Sequence, residues 1–230
     1  LTSTSNSSPG YNSVFEDSSL ETISLNEGLL RMYHSVFKNS SLTSILIPST
    51  LQYIGYHCFS QCKSLVSIEV EPSNQFYKSV DQVLYTKDES TLIAFPALKN
   101  VVNYSVLSPV TIIFSYAFSC SRYLMNVFLP SGVKTVGSGA FYNSSLNYIN
   151  IPNTLTSIEV AAFSYSKLTK ILIPNNVAKI TNHTFSHCQS LTNVTLLEGI
   201  TSIDNDAFNS CIKLASIVIP KSVKTIASDA

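Results

Sequence analysis

Residues 146–163 read LNYINIPNTLTSIEVAAF, and the same frame returns when this stretch is laid over the rest of the chain. Its fixed positions follow L-x-x-I-x-I-P-x-x-V-x-x-I-x-x-x-A-F. Phenylalanine recurs at Phe15, Phe37, Phe59, Phe118, Phe141, Phe163, Phe185 and Phe208, in steps of 22 or 23 residues apart from one of 59. Leucine runs beside it at Leu20, Leu42, Leu65, Leu124, Leu146, Leu168, Leu191 and Leu214. The wide gap resolves into a 36-residue unit, 65–100, and a degenerate regular unit opening at Val101, where Val101, Tyr104, Val106, Val110, Ile113, Ala117 and Phe118 keep the frame. A unit of about 22 residues cannot bury its own apolar face, so neighbours must stack, and a fixed period of this size marks a solenoid.

Each I-x-I alternation predicts a short strand with one face buried, ended by a proline that cannot donate to the ladder. The V-x-x-I-x-x-x-A-F stretch is expected to turn into a short helical segment carrying Phe as its buried plug. The fold class is therefore an α/β repeat: a solenoid with a parallel concave sheet and short turns or helices on the convex side. Residues 1–19 are expected to hold a polar leader and a partial first repeat, and the leader LTSTSNSSPG to be disordered. Residues 20–230 form one solenoid, whose last repeat is cut short at Ala230. Within the long unit, VLYT (83–86) and TLIAF (91–95), separated by KDES, predict a hairpin that projects from the solenoid or thickens one edge.

Composition narrows function. Lys+Arg and Asp+Glu are equal at 14 each, which provides no basic field for nucleic acid or anionic lipid. No apolar run is long enough to span a bilayer as a helix. Only 12% of residues are charged and solubility rests on Ser, Thr and Asn, a composition suited to an extracellular protein. Glycine-rich phosphate loops and G-x-S-x-G are missing from a chain with only 7 glycines, and no enzyme or cofactor is indicated.

Residues 180–191, ITNHTFSHCQSL, imitate a zinc site, with His183 and His187 four apart and Cys188 beside them. In the repeat frame the two histidines fall at variable polar positions flanking Phe185, and no further ligand cluster accompanies them, so no metal is expected. Asp204 and Asp206 fall in the same kind of variable turn. The five cysteines, Cys58, Cys62, Cys120, Cys188 and Cys211, are expected as buried free thiols. Cys188 and Cys211 lie one unit apart, within possible reach of a disulfide. Sequons occur at Asn6, Asn39, Asn103, Asn143, Asn182 and Asn193, which gives mild support for a secreted chain.

If the two isoleucines of I-x-I point inward, the residue between them points out. That places Ser24, Leu46, Glu69, Ser105, Phe128, Asn150, Leu172, Thr195 and Val218 in one exposed row, with Tyr148 and Lys170 in the row beside it. Phe128, Tyr148, Asn150, Lys170 and Leu172 should form one patch of the kind that binds protein, although strand propensity alone would also favour such residues.

The phrases SLTSILIP (41–48), KLTKILIPNNVAKI (167–180) and KLASIVIPKSVKTI (213–226), with the long unit at 71–96, resemble the BspA-like leucine-rich repeats of bacterial and protist surface antigens. The likeness covers residues 20–230, and departs from ordinary leucine-rich repeats in having proline where an asparagine ladder would follow the strand. The resemblance implies a cell-surface or secreted, non-enzymatic protein that adheres to host cells or matrix proteins. An intracellular interaction scaffold is the alternative, and an exposed solenoid end implies possible self-association.

Overall fold

The computed structural model describes residues 14–230. Within them the chain is a solenoid in which each regular unit contributes three rungs. The first rung is the I-x-I strand: Ser44–Ile47, Ser67–Val70, Asn103–Ser105, Asn126–Phe128, Tyr148–Asn150, Lys170–Ile173 and Asn193–Leu196. These run parallel and in register in three runs, so that Ile45 opposes Ile68, Val127 opposes Ile149, and Ile171 opposes Val194. Proline ends the strand and then opens a turn, for the Pro48, Pro152 and Pro174 carbonyls each accept the amide three residues on, from Leu51, Leu155 and Val177.

The V-x-x-I spacing makes a second, two-residue strand, as at Tyr53–Ile54, Ile112–Ile113, Thr135–Val136, Ser157–Ile158, Lys179–Ile180 and Ser202–Ile203. The expected helices on the convex side are not there: the described residues contain no helix, and the third rung is a run of tight turns around Phe. Its hydrogen bonding gives the reason. Amides of Tyr116, Phe118 and Cys120 donate to Ser138, Ala140 and Tyr142 of the next unit, at 2.7–2.9 Å. The intervening amides of Ala117, Ser119 and Ser121 close turns onto carbonyls three residues back, at 3.1–3.3 Å. An α-helix would spend these amides inside the unit and leave none for its neighbour. The residues two before and two after Phe also take left-handed backbone, as at Ser35 and Asn39, Tyr116 and Cys120, Ala161 and Tyr165, and His183 and His187. Left-handed residues on both sides of Phe exclude a helix there.

The phenylalanines stack directly. Phe118, Phe141, Phe163, Phe185 and Phe208 form a column with centroids 4.9–5.5 Å apart and planes within 11°. Phe95 continues the column below, 5.2 Å from Phe118, and its amide donates to Ala117 as the turn-run phenylalanines do. Phe95 is therefore the ring of the long unit, and the gap of 59 divides into steps of 36 and 23 residues.

The extra residues of the long unit form Tyr77–Val80, Val83–Thr86 and Thr91–Ala94, consecutive antiparallel neighbours, the last pairing in parallel with Ile112–Ile113. Asp81 and Gln82, both at positive φ, make the two-residue turn. This sheet is buried on both faces: Leu84, Ile93 and Ala94 belong to a core shared with residues 32–77, whereas Val83, Tyr85, Leu92 and Phe95 belong to the core that runs on to Cys211. The insertion is a partition between two stacks.

Candidate interaction surface

Strand pleating fixes what the first sheet presents. Phe128 lies between Ser105 and Asn150 in register, and Tyr148 opposes Asn126, so both rings come from outward positions of adjacent strands. Their centroids lie 6.0 Å apart at 53°. Phe128 is 41% exposed and Leu172, two strands on, 47% exposed. Lys170 is exposed at the first outward position of Lys170–Ile173, opposite Asn193. Asn150 is half-buried and spends its amide on the neighbouring unit: Leu129 N donates to its Oδ1 at 2.7 Å, and its Nδ2 donates to Leu129 O at 2.9 Å. Leu46 and Glu69 face each other on the strands before the partition, and exposed Val218 lies beyond the last paired strand of this sheet.

Sequence reasoning missed a flanking column one residue after each framing leucine. Thr43, Thr169 and Thr192 stand there with hydroxyls bonded back to the previous unit. Val66, Val102 and Met125 occupy the same column as exposed apolar side chains, Met125 at 42%. The signal lay in the aligned repeats, where Val66, Val102 and Met125 interrupt a column that holds Thr43, Asn147, Thr169 and Thr192.

The zinc-like triplet does not converge. Cys188 is buried and its thiol donates to Phe163 O at 3.0 Å. His187 lies flat on Tyr165 at 4.3 Å, and His183 is half-exposed with Nδ1 3.8 Å from an Asp206 carboxylate oxygen. Both histidines hold left-handed turn positions, with amides donating to Asn205 and Asn209. Among the described residues no three His, Cys, Asp or Glu side chains gather as a metal site. All five cysteines are free. Cys62, Cys188 and Cys211 donate to the carbonyl of the preceding unit's phenylalanine, at 2.9–3.1 Å, whereas Ser121 and Ser144 at the same turn position bond their own unit's. Burial pushes the Cys58 and Cys188 thiols up to about 12 and those of Cys62 and Cys211 to about 11.

Asn39, Asn103, Asn143, Asn182 and Asn193 are all exposed, while Asn6 lies outside the described residues. Asn103 and Asn193 stand on the outward face of the first sheet, and Asn103 accepts from Asn126 Nδ2 at 2.7 Å. Asn39, Asn143 and Asn182 stand on the turn run.

A three-rung repeat with a phenylalanine column is a specific pattern, and comparison with known families places it. The model of the BspA type leucine rich repeat region matches in six copies, over residues 6–108 and 111–230. The chain belongs to the BspA type leucine-rich repeat family. Among solved structures, this BspA-type chain is similar to a leucine-rich repeat protein from Eubacterium ventriosum, at 28% identity and a TM-score of 0.79, over 94% of this chain and 67% of that one. It is also similar to a leucine rich cell surface protein from Faecalibacterium prausnitzii, at 26% identity and a TM-score of 0.80, over 92% of this chain and 54% of that one. The chain thus spans about two thirds of the first relative and about half of the second. The pneumococcal vaccine antigen PcpA shares the fold, at 21% identity and a TM-score of 0.50, over 93% of this chain and 70% of that one. No curated protein sequence matches the chain. No helix among the described residues is long and apolar enough to cross a membrane.

Proposed function

We propose that this chain is a non-enzymatic repeat module, displayed at the cell surface or secreted, that adheres to host cells or matrix proteins through the outward face of its first sheet. The supporting observation is the row of apolar side chains on successive first-rung strands, Phe128 and Tyr148 in one paired run and Leu172 at the start of the next. Phe128, Tyr148 and Leu172 are exposed there, Met125 extends the patch, and Lys170 and Asn150 supply polar contacts beside it. Large rings on a preorganised surface are effective anchors because little side-chain entropy is lost on docking. Leu46, Glu69 and Val218 form secondary candidates outside this cluster. The relative described as a cell surface protein supports the location.

The test is binding of the purified chain to immobilised matrix proteins and to host cells, comparing wild type with Phe128→Asp plus Leu172→Asp after circular dichroism shows both folded. A loss of about tenfold or more in affinity supports the reading, and equal binding by the two proteins removes the first sheet from it. Five free buried thiols favour a second reading, an intracellular interaction scaffold. Glycan occupancy on protein from the native cell separates the two. If the sheet binds protein, glycans belong on Asn39, Asn143 and Asn182, because sugars at Asn103 or Asn193 would stand over the same face.

A further inference from the structure

The partition opens a cleft on the second-sheet side, away from the surface just described. The strand Tyr53–Ile54 pairs only with Arg31–Met32, and the next run of that sheet starts afresh at Tyr77–Val80. Between the two runs lies a cleft of about 860 Å³, within the ~300–1,000 Å³ range of small-ligand sites.

Its walls are amphipathic and carry almost no charge. Among the described residues no lysine or arginine lines it, Glu159 is its one carboxylate, and His34 and His57 are its imidazoles. Apolar contact comes from Tyr56, Ile112 and Phe114, and hydroxyls from Thr86, Thr91, Thr135 and Ser138. The site is also held in place. Tyr56 is sandwiched between His34 at 5.5 Å and Phe114 at 5.0 Å, with planes within 14°. The Tyr77 hydroxyl accepts the Ile54 amide at 2.9 Å. Glu159 Oε2 accepts from both the amide and the hydroxyl of Ser138 at 2.9 Å. Gly137 occupies the frame position of Phe114 in the following unit, and a Cβ there would come 2.8 Å from Ser115 N, so no side chain can fill the cleft from it.

We propose that this cleft binds a neutral oligosaccharide. A pyranose ring offers apolar C–H faces and a rim of hydroxyls that donate and accept. The cleft matches it with the exposed edge of the stacked Tyr56 ring and the Ile112 side chain on one hand, and with hydroxyls and a fixed carboxylate on the other. An anionic ligand would meet no lysine or arginine here, only the imidazoles of His34 and His57. An extended peptide would add to a strand edge, but the Ile54 amide on the open edge is already taken by Tyr77.

The experiment is calorimetric titration of the intact chain with cello-, malto-, manno-, xylo- and fully N-acetylated chitohexaose, with a heparin hexasaccharide as the acidic comparison. At least one neutral hexasaccharide should bind saturably, with an affinity unchanged between low and high salt. Thr135→Trp, which fills the cleft from a half-buried strand position, should weaken that binding by about tenfold or more, as should Tyr56→Ala. The Phe128→Asp plus Leu172→Asp protein should bind as wild type does. Failure of every neutral hexasaccharide, binding of the heparin fragment alone, or full affinity in Thr135→Trp overturns the proposal; if Tyr56→Ala does not fold, Thr135→Trp decides.

Discussion

A buried phenylalanine in the turn run touches its counterparts above and below, so each ring stabilises three units at once. Phe163 is fully buried between Phe141 and Phe185, at 5.4 and 5.5 Å. Phe163→Ala should cost about 3–5 kcal/mol, read as a lower urea midpoint. The left-handed flanks behave differently. Ala161 sits at φ 56° and has a Cβ that this backbone disfavours, whereas Gly139 holds the equivalent place one unit earlier. Ala161→Gly should therefore change stability by no more than about 1 kcal/mol and in the stabilising direction. Gly139→Ala should destabilise, because its Cβ would come 2.5 Å from the Tyr116 ring. The thiols add a pH dependence. Burial raises Cys58 and Cys188 to about 12 in the native state, while an unfolded thiol titrates near 8.5. Below that pH both states keep the proton and the stability is whole. As pH rises toward 12 the unfolded chain alone ionises, and stability falls by up to about 1.4 kcal/mol per pH unit for each thiol. Urea midpoints should decline from neutral pH to about pH 10, and Ellman's reagent should label the native chain only as fast as it opens.

At the level of elements, the partition depends on a few polar side chains. Asn74 is fully buried; its Nδ2 donates to Pro48 O and Leu51 O at 2.7 and 3.0 Å, and its Oδ1 accepts the amides of Phe76 and Tyr77 at 2.8 Å. Lys99, nearly buried, holds the turn from the other side through Asp81 at 3.1 Å. Asn74→Ala removes all four bonds; Pro48 O keeps the Leu51 amide, but the Leu51 carbonyl and the buried Tyr77 amide lose their partner, at a cost of about 2 kcal/mol or more. Hydrogen exchange should accelerate first at 77–94 in that variant, and uniform acceleration along the chain would contradict this role. These elements were unevenly legible. The first strand and its outward row follow from a period-two alternation ended by proline, which has one reading. The V-x-x-I-x-x-x-A-F stretch suits a helix equally well, and the backbone bonds to the next unit that decide against one leave no trace in apolar spacing. The left-handed flanks showed only as mixed columns, mostly Ser, Asn, His, Gln, Asp and Gly but also Tyr, Ala and Cys, where His183 and His187 imitated metal ligands. Phe95 was hidden because the strand just before it, Thr91–Ala94, also completes the hairpin.

The described residues form two stacked cores joined through one two-sided sheet. A regular solenoid couples each repeat to its neighbours equally, so loss of stability spreads along the axis. Here Leu84 faces the first core, and Val83 and Tyr85 the second, so the hairpin strand is the place where the cores meet. Unfolding should therefore divide at the partition. Ile45→Ala lies wholly in the first core and should speed hydrogen exchange over residues 32–70 while the units from 140 to 200 keep their protection. Leu84→Ala removes a side chain from the face that couples the cores and should separate the two transitions in urea, visible as a broadened melt with a lower apparent m-value. A single sharp transition in both variants, with exchange rising in parallel across residues 32–211, would mean that the partition transmits stability as well as a regular repeat does. The cleft at the partition supplies an independent reading of the same coupling. A ligand gripping Tyr56 on the first stack and Thr135 on the second binds only when both are folded, so a saturating neutral hexasaccharide should narrow the Leu84→Ala melt back toward one transition.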